Sequence, residues 1–169
     1  MQAQMLRKRI RYLLLFFFVS LVVSGLTAVP LKLESDLLRI TVGAETLVGR
    51  LWPALAHWVA LVQRGIAEMK QEQPFIFYGT DWLAFGHIVI AIFFIGPLRD
   101  PVKNIWVIET GMIACVLVIP MAMIFGPMRG IPFFWRLADC SFGIFGIIPL
   151  WLARNYVRRV IVLERPGAG

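Results

Sequence analysis

The chain has 169 residues, of which 59% are hydrophobic and only 16% charged. That length suits one domain, but the composition is too apolar for an ordinary soluble one. The net charge of +7 does not indicate nucleic acid, because the basic residues gather in short segments beside apolar runs.

Arg7, Lys8, Arg9 and Arg11 precede an apolar run, 12–29, that Pro30 closes. The order of basic start, apolar core and small residues at Thr27 and Ala28 is that of a signal peptide. The apolar run is long for one, so it is read as a retained signal-anchor helix. Ser20, Ser24 and Thr27 recur at helical spacing, and their hydroxyls can bond the helix's own carbonyls on a packing face.

Residues 31–78 are the one sizeable part outside the long apolar runs. From Ser35 to Leu51 the apolar residues Leu37, Ile40, Ala44, Leu47, Val48 and Leu51 keep helical spacing, with Ser35 placed as the N-cap. Pro53 suits the first turn of a second helix, with Leu55, Trp58, Val59, Val62, Ile66 and Met69 along one side. The segment reads as two amphipathic helices that lie on the membrane surface or cap the bundle, with Trp52 and Trp58 at headgroup level. The run 51–62 is too short to span, which leaves a re-entrant course as the alternative.

Three further runs, 82–98, 105–125 and 133–153, are each apolar enough to cross a bilayer. Pro97 and the turn Arg99–Asp100–Pro101 end the first of them, and a short link makes it an antiparallel hairpin with the next. Pro120 is placed to kink the third span. The segment 126–132, GPMRGIP, is a short, stiff loop, and a mobile Gly-Pro end follows the last basic tail. The fold expected is an all-α integral membrane protein: a single membrane domain, 1–169, with four transmembrane helices at about 12–29, 82–98, 105–125 and 133–153. The amphipathic pair falls between the first and second spans. Lys and Arg concentrate before the first span, in the 99–104 turn and after the last span. The positive-inside rule therefore puts both termini in the cytoplasm of a plasma (inner) membrane of bacterial type, and 31–78 outside.

Ionisable residues inside such helices are costly and mark candidate sites. Arg136 and Asp139 stand three residues apart, on a face that continues through the small residues Gly143 and Gly146. Asp81 starts the second span at its outer rim, and His87 lies about 9 Å deeper at about 1.5 Å per residue. Arg136 and Asp139 fall about 4–5 and 9 Å below the same surface, so the four can converge in the outer half. One reading is ionic glue, with Arg136 paired to Asp139 or Asp81 and His87 bonded to a carbonyl or carboxylate. The other is a polar pocket for a proton, a quinone or a lipid headgroup. Glu109 belongs to the inner side, within reach of Arg99, Lys103 or Arg154.

No GxSxG, HExxH or P-loop motif occurs, and Cys115 and Cys140 form no CxxC pair. The only other histidine, His57, lies in the outer segment, so neither a bis-histidine haem nor a zinc site is expected, and no metal or cofactor is assigned. Whether the chain is an enzyme stays open. The function expected is an accessory or assembly subunit that meets the lipid bilayer and binds a membrane protein partner or a second copy of itself. The alternative is a membrane enzyme or small transporter.

Overall fold

The computed structural model describes residues 2–164, and the Gly-Pro end expected to be mobile lies outside the described residues. The described chain is helical, without strands. Four stretches are long and apolar enough to cross a membrane: Gln2–Thr27, Pro74–Arg99, Ile105–Met128 and Phe133–Glu164. These stretches match the four expected apolar runs, but with different ends.

The first helix, α1 (Gln2–Thr27), takes in the whole basic segment ahead of the apolar run. Ser20 and Thr27 donate to the carbonyls of Phe16 and Ser24, so these hydroxyls are satisfied within their own helix. The 31–78 segment departs most from expectation. Helix α2 (Leu31–Val42) starts right after Pro30, so Ser35 is not its N-cap but lies one turn inside it, donating to the Lys32 carbonyl. Nor does one helix run to Leu51. The chain turns at Gly43, and α3 (Leu47–Leu51) begins afresh with Thr46 as N-cap, its hydroxyl accepting from the Gly49 amide at 3.0 Å. Gly43 and Gly49 make this turn possible, because a Cβ on Gly49 would collide with the Gly43 carbonyl. Pro53 does open α4 (Pro53–Glu72), at its first position, where a missing N–H is harmless.

A 3-10 turn, Pro74–Phe77, leads into α5 (Tyr78–Phe93). The expected span to residue 98 is broken: a turn at Phe94 precedes the five-residue α6 (Ile95–Arg99). Pro97 cannot donate to the Phe93 carbonyl and its ring crowds it, so the helix stops there and restarts. Asp100 caps the next turn by accepting from the amides of Val102 and Lys103, while the Asn104 amide group donates to the carbonyls of Gly96 and Asp100. Helix α7 (Ile105–Met128) runs on through Pro120, and the expected loop shrinks to 129–132. Helix α8 (Phe133–Glu164) continues eleven residues beyond the expected end of the last span.

The described chain divides into two compact units, one of residues up to 21 together with 90 onward, the other of residues 22–89. In the first, α7 and α8 form a closely packed hairpin. Leu6, Ile10 and Leu14 of α1 pack with Ile108 of α7 and with Leu150, Ala153, Val157 and Val160 of α8. The α8 residues recur at three and four positions, one helical face, which is why the helix stays ordered where its sequence turns basic. At the end of this core the Arg7 guanidinium donates twice to the Glu164 carboxylate, at 3.0 and 2.6 Å. The start of α1, the 100–104 turn and the end of α8 thus share one end of the unit, which carries most of the chain's positive charge.

In the second unit α2 and α4 lie against each other. Their contact is built from small and polar groups: Ser35, Ala56 and Val59 are buried, and the Gln63 amide donates to Asp36 at 2.7 Å. Leu33, Leu37 and Ile40, one stripe of α2, are exposed, as are Leu47 and Leu51 of α3. The amphipathic pattern is real, but its apolar face points outward.

Candidate functional site

Asp81 sits in the first turn of α5, where a carboxylate suits the positive end of the helix, and it is exposed. His87 is half-buried, on the face of α5 that meets the end of α1. A Cβ built on Gly25 would stand 2.8 Å from the His87 Cβ and 3.1 Å from the Ala84 carbonyl oxygen. Only glycine allows this approach. The His87 Nδ1–H donates to the Leu83 carbonyl at 2.8 Å, one turn back. In the neutral ring that bond leaves Nε2 as the acceptor. The expectation that His87 bonds a carbonyl therefore holds, and Asp81 and His87, six residues apart on α5, are not brought together.

Arg136 and Asp139 belong to the other unit, on α8. The face they share is the one that α7 covers. A Cβ on Gly143 would collide with the Cys115 carbonyl oxygen, and one on Gly146 would come within 3.1 Å of the Cys115 sulfur. The helix that these glycines admit is thus α7 of the same chain. Higher on the same interface the aliphatic stem of Arg136 lies across Gly126 of α7, where a β-carbon would collide with it. The guanidinium carbon stands 5.2 Å from the centre of the Phe133 ring, a cation–π contact.

The ion pair that the ionic-glue reading allowed between Arg136 and Asp139 is not formed, a correction with a clear cause. With its stem laid across Gly126 and its head over Phe133, Arg136 is drawn back toward the start of α8, away from Asp139. Its Nε is buried and has no hydrogen-bond partner among the described residues. Asp139 is half-buried and likewise makes no hydrogen bond or ion pair among the described residues. Ser141 donates to the Ala138 carbonyl and takes no part.

Glu109, one turn into α7, is held as expected, but by two arginines of α8. Arg154 Nε donates to its Oε1 at 2.6 Å, and Arg158 stands at 3.6 Å from the same oxygen. Lys103, another expected partner, leans instead toward Asp100 at 3.9 Å. The Arg158 contact and the Arg7–Glu164 pair were not anticipated in the sequence. The signal for both was the apolar spacing of Leu150, Ala153, Val157 and Val160, which carries the helix past the expected end of the last span.

Two shallow clefts open in the 22–89 unit, one beside Ser35, Asp36 and Gln63, the other beside Arg39, Gly43 and Ala60. None of Asp81, His87, Arg136, Asp139 or Glu109 lines them. Asp36 is held below the usual carboxylate range, first by the Gln63 amide and then by Lys32 at 3.1 Å. No group of three or more metal-ligating side chains gathers among the described residues. Comparison with protein-family models, with curated proteins and with solved structures gave no match.

Proposed function

We propose that the chain is a four-span protein of the plasma membrane, with the basic ends of α1 and α8 in the cytoplasm and residues 31–78 outside. In this reading it serves as an accessory or assembly subunit whose α8 engages a second membrane protein. The observation that carries the reading is the contrast between its charges. Glu109 and Arg154, like Arg7 and Glu164, are consumed in ties within the chain. Arg136 and Asp139 are half-buried in an apolar helix with no ion pair among the described residues. A charge so placed in a bilayer costs about 2.5–3.5 kcal/mol, which a complementary polar group on a partner helix offsets.

The test is photocrosslinking in native membranes from Leu137 and Phe142, exposed residues on the outer surface of the same stretch of α8. A discrete adduct is expected from the unaltered chain, and it disappears in Arg136→Gln and Asp139→Asn while membrane abundance is maintained. Adducts to lipid alone, or a discrete adduct that survives both substitutions, would refute the subunit reading.

A second reading is favoured by the tautomer of His87. With Nδ1 engaged by the Leu83 carbonyl, its Nε2 is a base in an apolar span, suited to proton handling in an enzyme or small transporter. In that case His87→Ala removes the cellular phenotype at unchanged abundance, whereas on the subunit reading it leaves the phenotype intact.

A further inference from the structure

The charge of the chain is divided unevenly by its fold. The end of the first unit gathers Lys and Arg from three separate segments: four from 7–11, two from 99–103 and three from 154–159. Only Asp100, Glu109 and Glu164 oppose them there. The 22–89 unit, by contrast, has five basic residues against six acidic ones. Packing creates the cluster: the Leu6, Ile10, Val157 and Val160 core and the Arg7–Glu164 pair hold α1 to α8 at this end. Asp100 is near enough to act on both members of that pair.

Helix length puts these charges at a definite depth. The 26 residues of α1 and 32 of α8 reach about 39 and 48 Å at about 1.5 Å per residue. The hydrocarbon layer is about 30 Å thick, so each helix has surplus length. The surplus is where the basic residues sit, level with headgroups. Most of the carboxylates present are already engaged, by Arg7, Lys103, Arg154 and Arg158. Lys8, Arg9, Arg11, Arg99 and Arg159 are exposed and form no ion pair among the described residues.

We infer that this end of the protein is a binding collar for acidic phospholipid headgroups, with Lys8, Arg9, Arg11, Arg99 and Arg159 as the groups that hold phosphate. The inference rests on the membrane reading proposed above. A rigid pair of helices, clamped at Arg7–Glu164, presents the cations together instead of on a loose tail, so little ordering is required on binding. Basic residues near the surface favour anionic over neutral lipid, and salt screens that attraction.

The test uses full-length protein purified in mild detergent, offered equal amounts of phosphatidylglycerol and phosphatidylcholine, with bound lipid counted by native mass spectrometry. The unaltered chain is expected to retain about tenfold more phosphatidylglycerol, and added salt is expected to reduce that preference. The combined variant Lys8→Gln, Arg9→Gln, Arg11→Gln and Arg159→Gln is expected to bind the two lipids within about twofold. Arg39→Gln, Arg50→Gln and Lys70→Gln together are expected to change nothing. Equal retention by the unaltered chain, a preference insensitive to salt, or one undiminished in the fourfold variant overturns the collar. The salt series needs no variant and stands if the fourfold variant does not accumulate. Extraction of native membranes with alkaline carbonate reads the membrane premise separately. Release of the chain sinks that premise, whereas a resistant chain without lipid preference sinks only the collar.

Discussion

Glu109 is exposed by about two-fifths, and its partner Arg154 by rather less, which decides how much their bond contributes. A fully exposed pair gives about 0–1 kcal/mol, and a hydrogen bond to a charged group in a drier place gives more. Glu109 also has Arg158 at 3.6 Å, so the three groups form a small network, not an isolated pair. Arg154→Gln therefore leaves the carboxylate a second cation, while Glu109→Gln strands two arginines on the same face. Thermal unfolding in detergent is expected to show the Glu109 substitution as the costlier, by about 1 kcal/mol. In a double-mutant cycle the two effects should fall short of additivity. If they add fully, the bond seen between Glu109 and Arg154 contributes nothing to stability.

Among the elements, the α7–α8 hairpin depends on backbone proximity more than on large side chains. Gly143 rests against the Cys115 carbonyl, Gly146 against the Cys115 sulfur, and Gly126 takes the Arg136 stem. On the membrane reading there is no hydrophobic drive to join two helices within lipid, so such close contact would supply the attraction. Gly143→Val must push a rigid backbone carbonyl aside, and a loss of about 1–3 kcal/mol is expected from overpacking. Gly65 and Gly79, which face open space, tolerate alanine in the same unfolding assay. Equal melting of the Gly143 and Gly65 variants would mean that the helices are held by something else. This packing face was readable in the sequence, because small residues at spacings of three and four are a feature of one helix surface. Its occupant was not, since the same stripe serves a partner protein or a neighbouring helix equally well. The expected second span shows the same division: Pro97 marked its end, but the restart as α6 depends on how Asn104 and Asp100 close the following turn. Ser35 was misplaced because a serine before an apolar run looks like a cap, while Pro30 had already fixed the start of α2.

For the molecule as a whole, the membrane reading proposed above turns on which way round the chain sits. The even number of apolar helices and the placing of Lys and Arg already implied that both described ends share a side. The Arg7–Glu164 pair, a bidentate contact, makes the start of α1 and the end of α8 neighbours, which is compatible with that expectation. It does not say which side faces the cytoplasm, and that can be decided by labelling single cysteines with a reagent that does not cross membranes. Both native thiols, Cys115 and Cys140, are buried and serve as a silent background. Lys8→Cys, Lys103→Cys and Arg159→Cys replace exposed residues at the basic end, and Arg129→Cys replaces one in the α7–α8 loop. In inverted vesicles the first three are expected to react and Arg129→Cys to stay silent, with the pattern reversed in intact cells. The positive-inside bias comes from segments close to the ends of the spans, and three such segments agree here, so a mixed pattern is not expected. Labelling of all four positions from one side would mean that α7 and α8 do not cross. Labelling of the first three only from outside would leave the fold intact and invert its placement, turning the basic end away from the anionic leaflet that its charge is proposed to meet.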